Sequence, residues 1–415
     1  MQRLIYIFFL LASTFIVCSY GCKKNLVVLN PPNQYTTAGY NDIFESFWNG
    51  MNNNYVFWDI DTTNWDNMYR IYKPLFAQLD TARDKSKVRD YFRAMTSGLI
   101  DGHYSLKLLG SLGSPKTTIY PPGIQRSAEK RHHNRPPSLL KLYGNISDNY
   151  FDENTAYFKR PYTYLYFSNP VDTTIFMFGK IKNAPKSEAD NILYIKFNRF
   201  ELKSGYGNRN SAVIRSVIDS FFSHVHDASV TALIVDLRSN GGGSLDDMHF
   251  LVGHLIDQPL HWGYSKYKNG NGRLDYTPWV KNIVTPQPGG KAFNKPVIVL
   301  VDVQSISMAE MTTLALKALP AKKTVIIGER TWGGLGGLTG KYDSPNYNGG
   351  KFTFGFDPAY GEVYTPSGQV VDLDKRNYEG KGIPPSITVP YDEQSWLGIK
   401  DAPLDRAIQY IRTGQ

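Results

Sequence analysis

The sequence predicts an α/β protein whose helices cover a buried sheet. From Asn191 onward, short apolar runs alternate with amphipathic segments. Two of those runs end in turns rich in glycine or serine, and a stretch of helical spacing, Asp42 to Ile100, precedes them. Apolar strands alternating with amphipathic helices are the pattern of βα units.

In chain order, residues 42–105 place Ile43, Phe44, Phe47 and Trp48, then Met68, Ile71, Tyr72, Leu75 and Phe76, then Val88, Tyr91, Phe92 and Met95 at helical spacing, which predicts a small helical domain. Residues 106–190 turn to Gly, Pro and Ser with short aromatic β-type runs such as Tyr162 to Phe167, and read as an irregular β-rich insert or a degenerate binding module. Residues 191–415 then give strand Ile192 to Phe197, helix Ser211 to Val225, strand Thr231 to Leu237 and helix Asp247 to Ile256. Strand Pro296 to Asp302, helix Met308 to Leu319 and strand Thr324 to Gly328 follow. This last region is the candidate catalytic core.

The N-terminus carries a different signal. Met1-Gln2-Arg3 and the apolar run Leu4 to Val17 have the layout of a secretory signal, and the run is too short for a comfortable membrane span. Cys18 and Cys22 are the chain's two cysteines, so residues after 22 hold no disulfide. Cys22 follows Gly21 and resembles the lipidated cysteine of a bacterial lipoprotein, although Ser19 stands where a leucine is common. The expectation is a signal over 1–22, a polar leader over 23–41 and a lipid anchor in the cell envelope; a plain cleaved signal or an uncleaved anchor stays open. The formal charge is +9, from 46 basic and 37 acidic side chains, but the basic residues are scattered and form no stripe. No nucleic-acid partner is expected.

Two turns could carry chemistry. In Val235-Asp236-Leu237-Arg238-Ser239-Asn240-Gly241-Gly242-Gly243 an apolar strand runs into three glycines, whose N–H groups can converge on developing negative charge. It also reads as a plain tight turn. In Val301-Asp302-Val303-Gln304-Ser305-Ile306-Ser307-Met308-Ala309-Glu310 a strand turns into a helix at Ser307. A serine there can be a nucleophile, yet Ser307-Met308-Ala309-Glu310 is also a literal capping box. The glycine spacings fit neither a dinucleotide fingerprint nor a P-loop.

These two turns and Ile326-Ile327-Gly328-Glu329-Arg330-Thr331 follow one another, each after an apolar strand, and Gly380-Lys381-Gly382-Ile383-Pro384-Pro385 comes last. The ordered set, over about Asn191 to Pro390, resembles the C-terminal processing (tail-specific) peptidases and the related tricorn core protease. The resemblance implies a crotonase/Clp-like ββα catalytic core with Ser307 as nucleophile. It implies an oxyanion hole from the N–H groups of Met308 and a loop glycine, Gly242 first and Gly241 next. The lysine base of the tail-specific members is missing, since Gly334 holds its place. Leu99-Ile100-Asp101-Gly102-His103-Tyr104 is similar to the D-G-H motif of the tricorn-like branch, which makes His103 the general base and Glu379 its orienting partner. Gly102 stands where that branch has serine, so Glu379 could reach His103 through water or through Ser105, or Asp101 could do its job.

The expected activity is that of an envelope serine endopeptidase on a polypeptide substrate, with no cofactor and no metal. The alternative is a catalytically inactive peptide- or ligand-binding lipoprotein on the same scaffold. Residues 106–190 show no clear carboxylate-binding loop of a PDZ module, so tail specificity does not follow.

Overall fold

The computed structural model describes residues 39–113, 117–121, 166–169, 172–174, 176–181, 191–207, 212–270, 272–338, 350–355, 359–390 and 400–415. The signal, Cys22 and most of residues 106–190 lie outside them. Among the described residues no helix is long and apolar enough to cross a membrane. The chain begins with α1 (Tyr40–Asn54), α2 (Trp65–Ala77), α3 (Lys85–Thr96), β1 (Ser105–Leu108) and β2 (Thr117–Ile119). Next come β3 (Tyr166–Asn169), β4 (Asp172–Thr174), β5 (Phe176–Lys180), β6 (Ile192–Phe197), α4 (Leu202–Gly207), α5 (Ala212–Val225), β7 (Ala232–Asp236) and α6 (Leu245–Gly253). Then follow β8 (Leu260–Tyr267), β9 (Val280–Val284), β10 (Val297–Val301), α7 (Met308–Lys317) and β11 (Thr324–Gly328). The chain closes with β12 (Phe352–Phe354), β13 (Gly361–Tyr364), β14 (Gly368–Val371), β15 (Ile387–Thr388) and α8 (Ala402–Thr413).

The main sheet has the order β15-β11-β10-β7-β6-β5, with β6, β7, β10, β11 and β15 parallel and β5 antiparallel at one edge. Alternation along each strand feeds two cores. Leu233, Val235, Val297, Val299 and Val301 pack with α5, α6 and α7 on one face, while Ala232, Ile234, Ile298 and Leu300 meet Leu404, Ala407 and Ile408 of α8 on the other. Burial on both faces is why these strands read as unbroken apolar runs. Their carboxyl ends share one edge, where parallel sheets commonly bind ligands.

A separate core joins Ile43, Phe44, Phe47 and Met51 of α1 to Trp65, Phe76, Val88, Phe92 and Met95. The domain boundary expected after Ser105 falls inside β1. This strand pairs with both β2 and β13, and Leu106, Leu108, Leu112 and Ile119 bury in the helical core. Hydrogen-bond partners for β1 come from residues 361–364, which no local pattern could reveal.

This N-terminal unit is tied to the C-terminal α/β unit through the loop between β8 and β9. Arg273 grips Asp66 with two nitrogens at 2.5 and 3.0 Å, donates to Asn52 Oδ1 at 2.7 Å, and lies 5.8 and 5.7 Å from the ring centres of Trp48 and Trp58. Arg273→Ala is expected to cost about 1–2 kcal/mol in urea unfolding. Arg273→Lys should recover little of that, because one ammonium cannot replace the fork.

Candidate active site

Three turns at the carboxyl edge of the main sheet are laced together. Ile306 N–H donates to Asn240 O at 3.0 Å, Trp332 N–H to Ser305 O at 3.0 Å, and the Ser305 hydroxyl to Leu237 O at 2.8 Å. Below them, buried Asp236 accepts from the Tyr194 hydroxyl and the Arg238 guanidinium, and Arg238 reaches Asp401 at 2.7 Å through two nitrogens. Arg238 and Lys196 hold the Asp236 carboxyl well below the usual carboxylate range despite its burial. The D-L-R residues thus anchor the glycine loop to the N-cap of α8.

Ser307 sits at the start of α7 with φ 61°, a conformation rare for a residue with a side chain. Such strain costs on the order of 1–3 kcal/mol and is common at functional turns. Its hydroxyl makes no cap hydrogen bond, whereas its N–H donates to Glu310 Oε2 at 3.0 Å. Gly242, at φ +85°, closes against this turn: a Cβ there would lie 2.8 Å from Ser307 Cβ and 3.0 Å from Met308 N. The two glycine N–H groups expected to serve the oxyanion are committed elsewhere. Gly242 N–H donates to Asn240 Oδ1 at 2.9 Å, because that carboxamide folds back in an Asx turn, and Gly241 N–H donates to Asn198 O at 3.2 Å. Among the described residues, the N–H groups of Met308 and Gly243 have no partner.

Glu310 does more than cap. Its buried carboxyl accepts from Ser307 N–H, the Thr331 hydroxyl at 2.6 Å, Gly333 N–H at 2.7 Å and Gly334 N–H at 2.8 Å. This fixes the loop after β11. A Cβ on Gly334 would lie 3.3 Å from both His103 Cε1 and Ile306 Cγ1. The place of the missing lysine is therefore flanked by the imidazole and by the neighbour of Ser307. Gly102 is equally constrained, since a Cβ there would stand 2.7 Å from Gly333 O and from Gly334 Cα. A serine does not fit.

Glu379 binds this loop directly, through main-chain donors. Its oxygens accept Gly102 N–H and Gly336 N–H, both at 2.8 Å. Asp101 Oδ1 accepts His103 N–H at 2.7 Å and Oδ2 accepts the Thr365 hydroxyl at 2.7 Å. One oxygen of each carboxyl and one nitrogen of His103 lie within 4.8 Å of one another. The same three atoms have the spacing of a metal site, but each carboxyl oxygen already holds a hydrogen-bond donor. Burial pushes the imidazole down to about 4 and the Asp101 carboxyl up to about 7. Burial, then the charge of Asp101, raises Glu379 well above the usual range. His103 and Glu379, singled out in the sequence, thus lie close together. Glu310, legible there as a helix cap, caps Ser307 and also binds the loop after β11, whereas the bonds of Asn240 and Trp332 left no local signal. Trp332 Nε1 donates to Gly102 O at 3.1 Å.

Residues 191–389 match the model of peptidase family S41. The tricorn protease of Thermoplasma acidophilum is 27% identical over 191 residues, which are 45% of this chain and only 15% of that protein's length. A candidate peptidase from Parabacteroides merdae superposes with a TM-score of 0.63 at 21% identity, over 91% of this chain and 98% of that one. Mature CPAF gives 0.56 at 12% identity, over 90% and 97%. At such identities these structures share the fold. Residues 191–389 thus form a domain that matches peptidase family S41 and is similar to part of the tricorn protease.

Proposed function

We propose that this protein is a serine endopeptidase of the bacterial cell envelope, held to the membrane by a lipid on Cys22. His103 takes the proton of Ser307, and the alkoxide attacks a peptide carbonyl. Met308 N–H stabilises the oxyanion, with Gly243 N–H as the glycine loop's uncommitted donor. His103 then protonates the leaving amine, and water, activated by the same imidazole, releases the acyl group. The observation that carries this reading is the closeness of His103 and Ile306 about Gly334. The secretory signal ahead of Cys22 supports the location. Gly334 and Gly102, the departures that favour an inactive binder, are accounted for as the room that His103 and its loop require.

A fluorophosphonate probe tests the assignment. Wild type should be labelled on Ser307, as mapped by mass spectrometry, and Ser307→Ala should not; an unlabelled but folded wild type sinks the enzyme reading. Gly334→Lys provides a second check. The new side chain must pass where His103 Cε1 and Ile306 Cγ1 already stand. Displacing the base by even 1 Å should reduce kcat/KM about 10²-fold. A fully active Gly334→Lys enzyme would mean that a lysine had replaced the histidine.

A further inference from the structure

The buried carboxyl of Asp101 takes no proton from Ser307, yet it stands beside the base. It accepts the His103 main-chain N–H and the Thr365 hydroxyl, and it shares a 4.8 Å cluster with Glu379 and the imidazole. The Nδ1 atom of His103 is enclosed and has no partner. The groups facing the two carboxyls are Asp61, Glu310, His103 and the phenols of Tyr55, Tyr104 and Tyr364. None of these is a lysine or arginine. Two buried carboxyls so close, with no cation among these described groups, do not both ionise at neutral pH.

We propose that Asp101 is a positioning residue of the base: it shares one proton with Glu379, and His103 accepts the Ser307 proton only when this pair carries a negative charge. The proposal rests on His103 acting on Ser307. With the pair neutral, nothing offsets the imidazolium as it forms. With one proton gone, a negative charge stands within the 4.8 Å cluster and offsets the imidazolium, and Nε2 of the neutral ring offers its lone pair. One proton then moves from Ser307 Oγ to Nε2, next to a single negative charge. Burial holds the Asp101 ionisation near 7 and raises that of Glu379 well above the usual carboxylate range, while the imidazole is pushed down to about 4. The acid limb of activity therefore belongs to the carboxyl pair, and activity rises as pH rises through it.

Asp101→Asn separates the charge from the hydrogen bonds. Asparagine still accepts His103 N–H and can donate to the Thr365 oxygen, so the turn survives while the ionisable proton is gone. The acid limb of kcat/KM should move along the pH axis, because it then reports Glu379 alone, still raised by burial but freed of the Asp101 charge. A purely structural Asp101 lowers kcat/KM by one factor at every pH; that result, or an unchanged profile, overturns the proposal. A second readout needs no activity. A carboxyl whose ionisation is raised by folding contributes stability that is full below the ordinary aspartate range and is lost as pH rises through about 7. The urea midpoint of wild type should therefore fall more steeply than that of Asp101→Asn between pH 4.5 and 7.5, and equal slopes overturn the shared proton. Differing slopes in a wild type that cleaves no peptide would instead reject the serine–histidine reading and leave the shared proton standing.

Discussion

Ser307→Ala is expected to lower kcat/KM for peptide hydrolysis by about 10⁴-fold or more, with His103→Ala close behind it. Without the hydroxyl no acyl-enzyme forms, and without the imidazole the hydroxyl keeps its proton at neutral pH. Because the two groups act in one step, the double variant should be no slower than the slower single one. What remains in all three comes from the Met308 N–H and from substrate binding. The fold should survive Ser307→Ala, since the hydroxyl makes no cap hydrogen bond and the Ser307 N–H keeps Glu310 as acceptor. The check is kcat/KM of both single variants and the double variant on a fluorogenic peptide, beside their urea midpoints. Losses that multiply in the double variant would place His103 in a separate step.

The sequence carried the main sheet because burial on both faces leaves a mark that local reading can see. Strands over Ile192–Phe197 and Thr324–Gly328 have the bounds expected of them, and those over Ala232–Asp236 and Val297–Val301 lose one residue at each end. The strand Leu260–Tyr267 went unread because its burial follows no strict alternation; it pairs with chain both before and after the serine turn. The last helix, Ala402–Thr413, was legible in hindsight from its Asp401 cap, Pro403 and closing Gly414. Within the site, Ser307 and His103 came from ordered motifs. The bond from Gly102 to Glu379 spans 277 residues, and no spacing rule reaches that far. Glu310 was visible as the last letter of a capping box, but its bonds to Gly333 and Gly334 depend on a loop brought back by β11.

That double use makes Glu310 the most sensitive structural position of the site. Glu310→Ala leaves the N–H groups of Ser307, Gly333 and Gly334 and the Thr331 hydroxyl without their acceptor in a buried place. At about 1–3 kcal/mol for each unsatisfied buried group, partly relieved by entering water, the loss should be at least about 4 kcal/mol in urea unfolding. Glu310→Gln is the sharper variant. Its volume is conserved, but its amide NH₂ must face either Ser307 N–H and Gly334 N–H, or Thr331 and Gly333 N–H, and only the threonine hydroxyl can turn to accept. One donor-to-donor clash therefore remains, and the loop after β11 must shift away from His103 to relieve it. Activity should then fall further than stability: kcat/KM by about 10²-fold, while the fold loses only about 2 kcal/mol. A Gln variant with full activity and a lowered urea midpoint would show that the loop bearing Gly333 and Gly334 supports the fold without setting the geometry of the base.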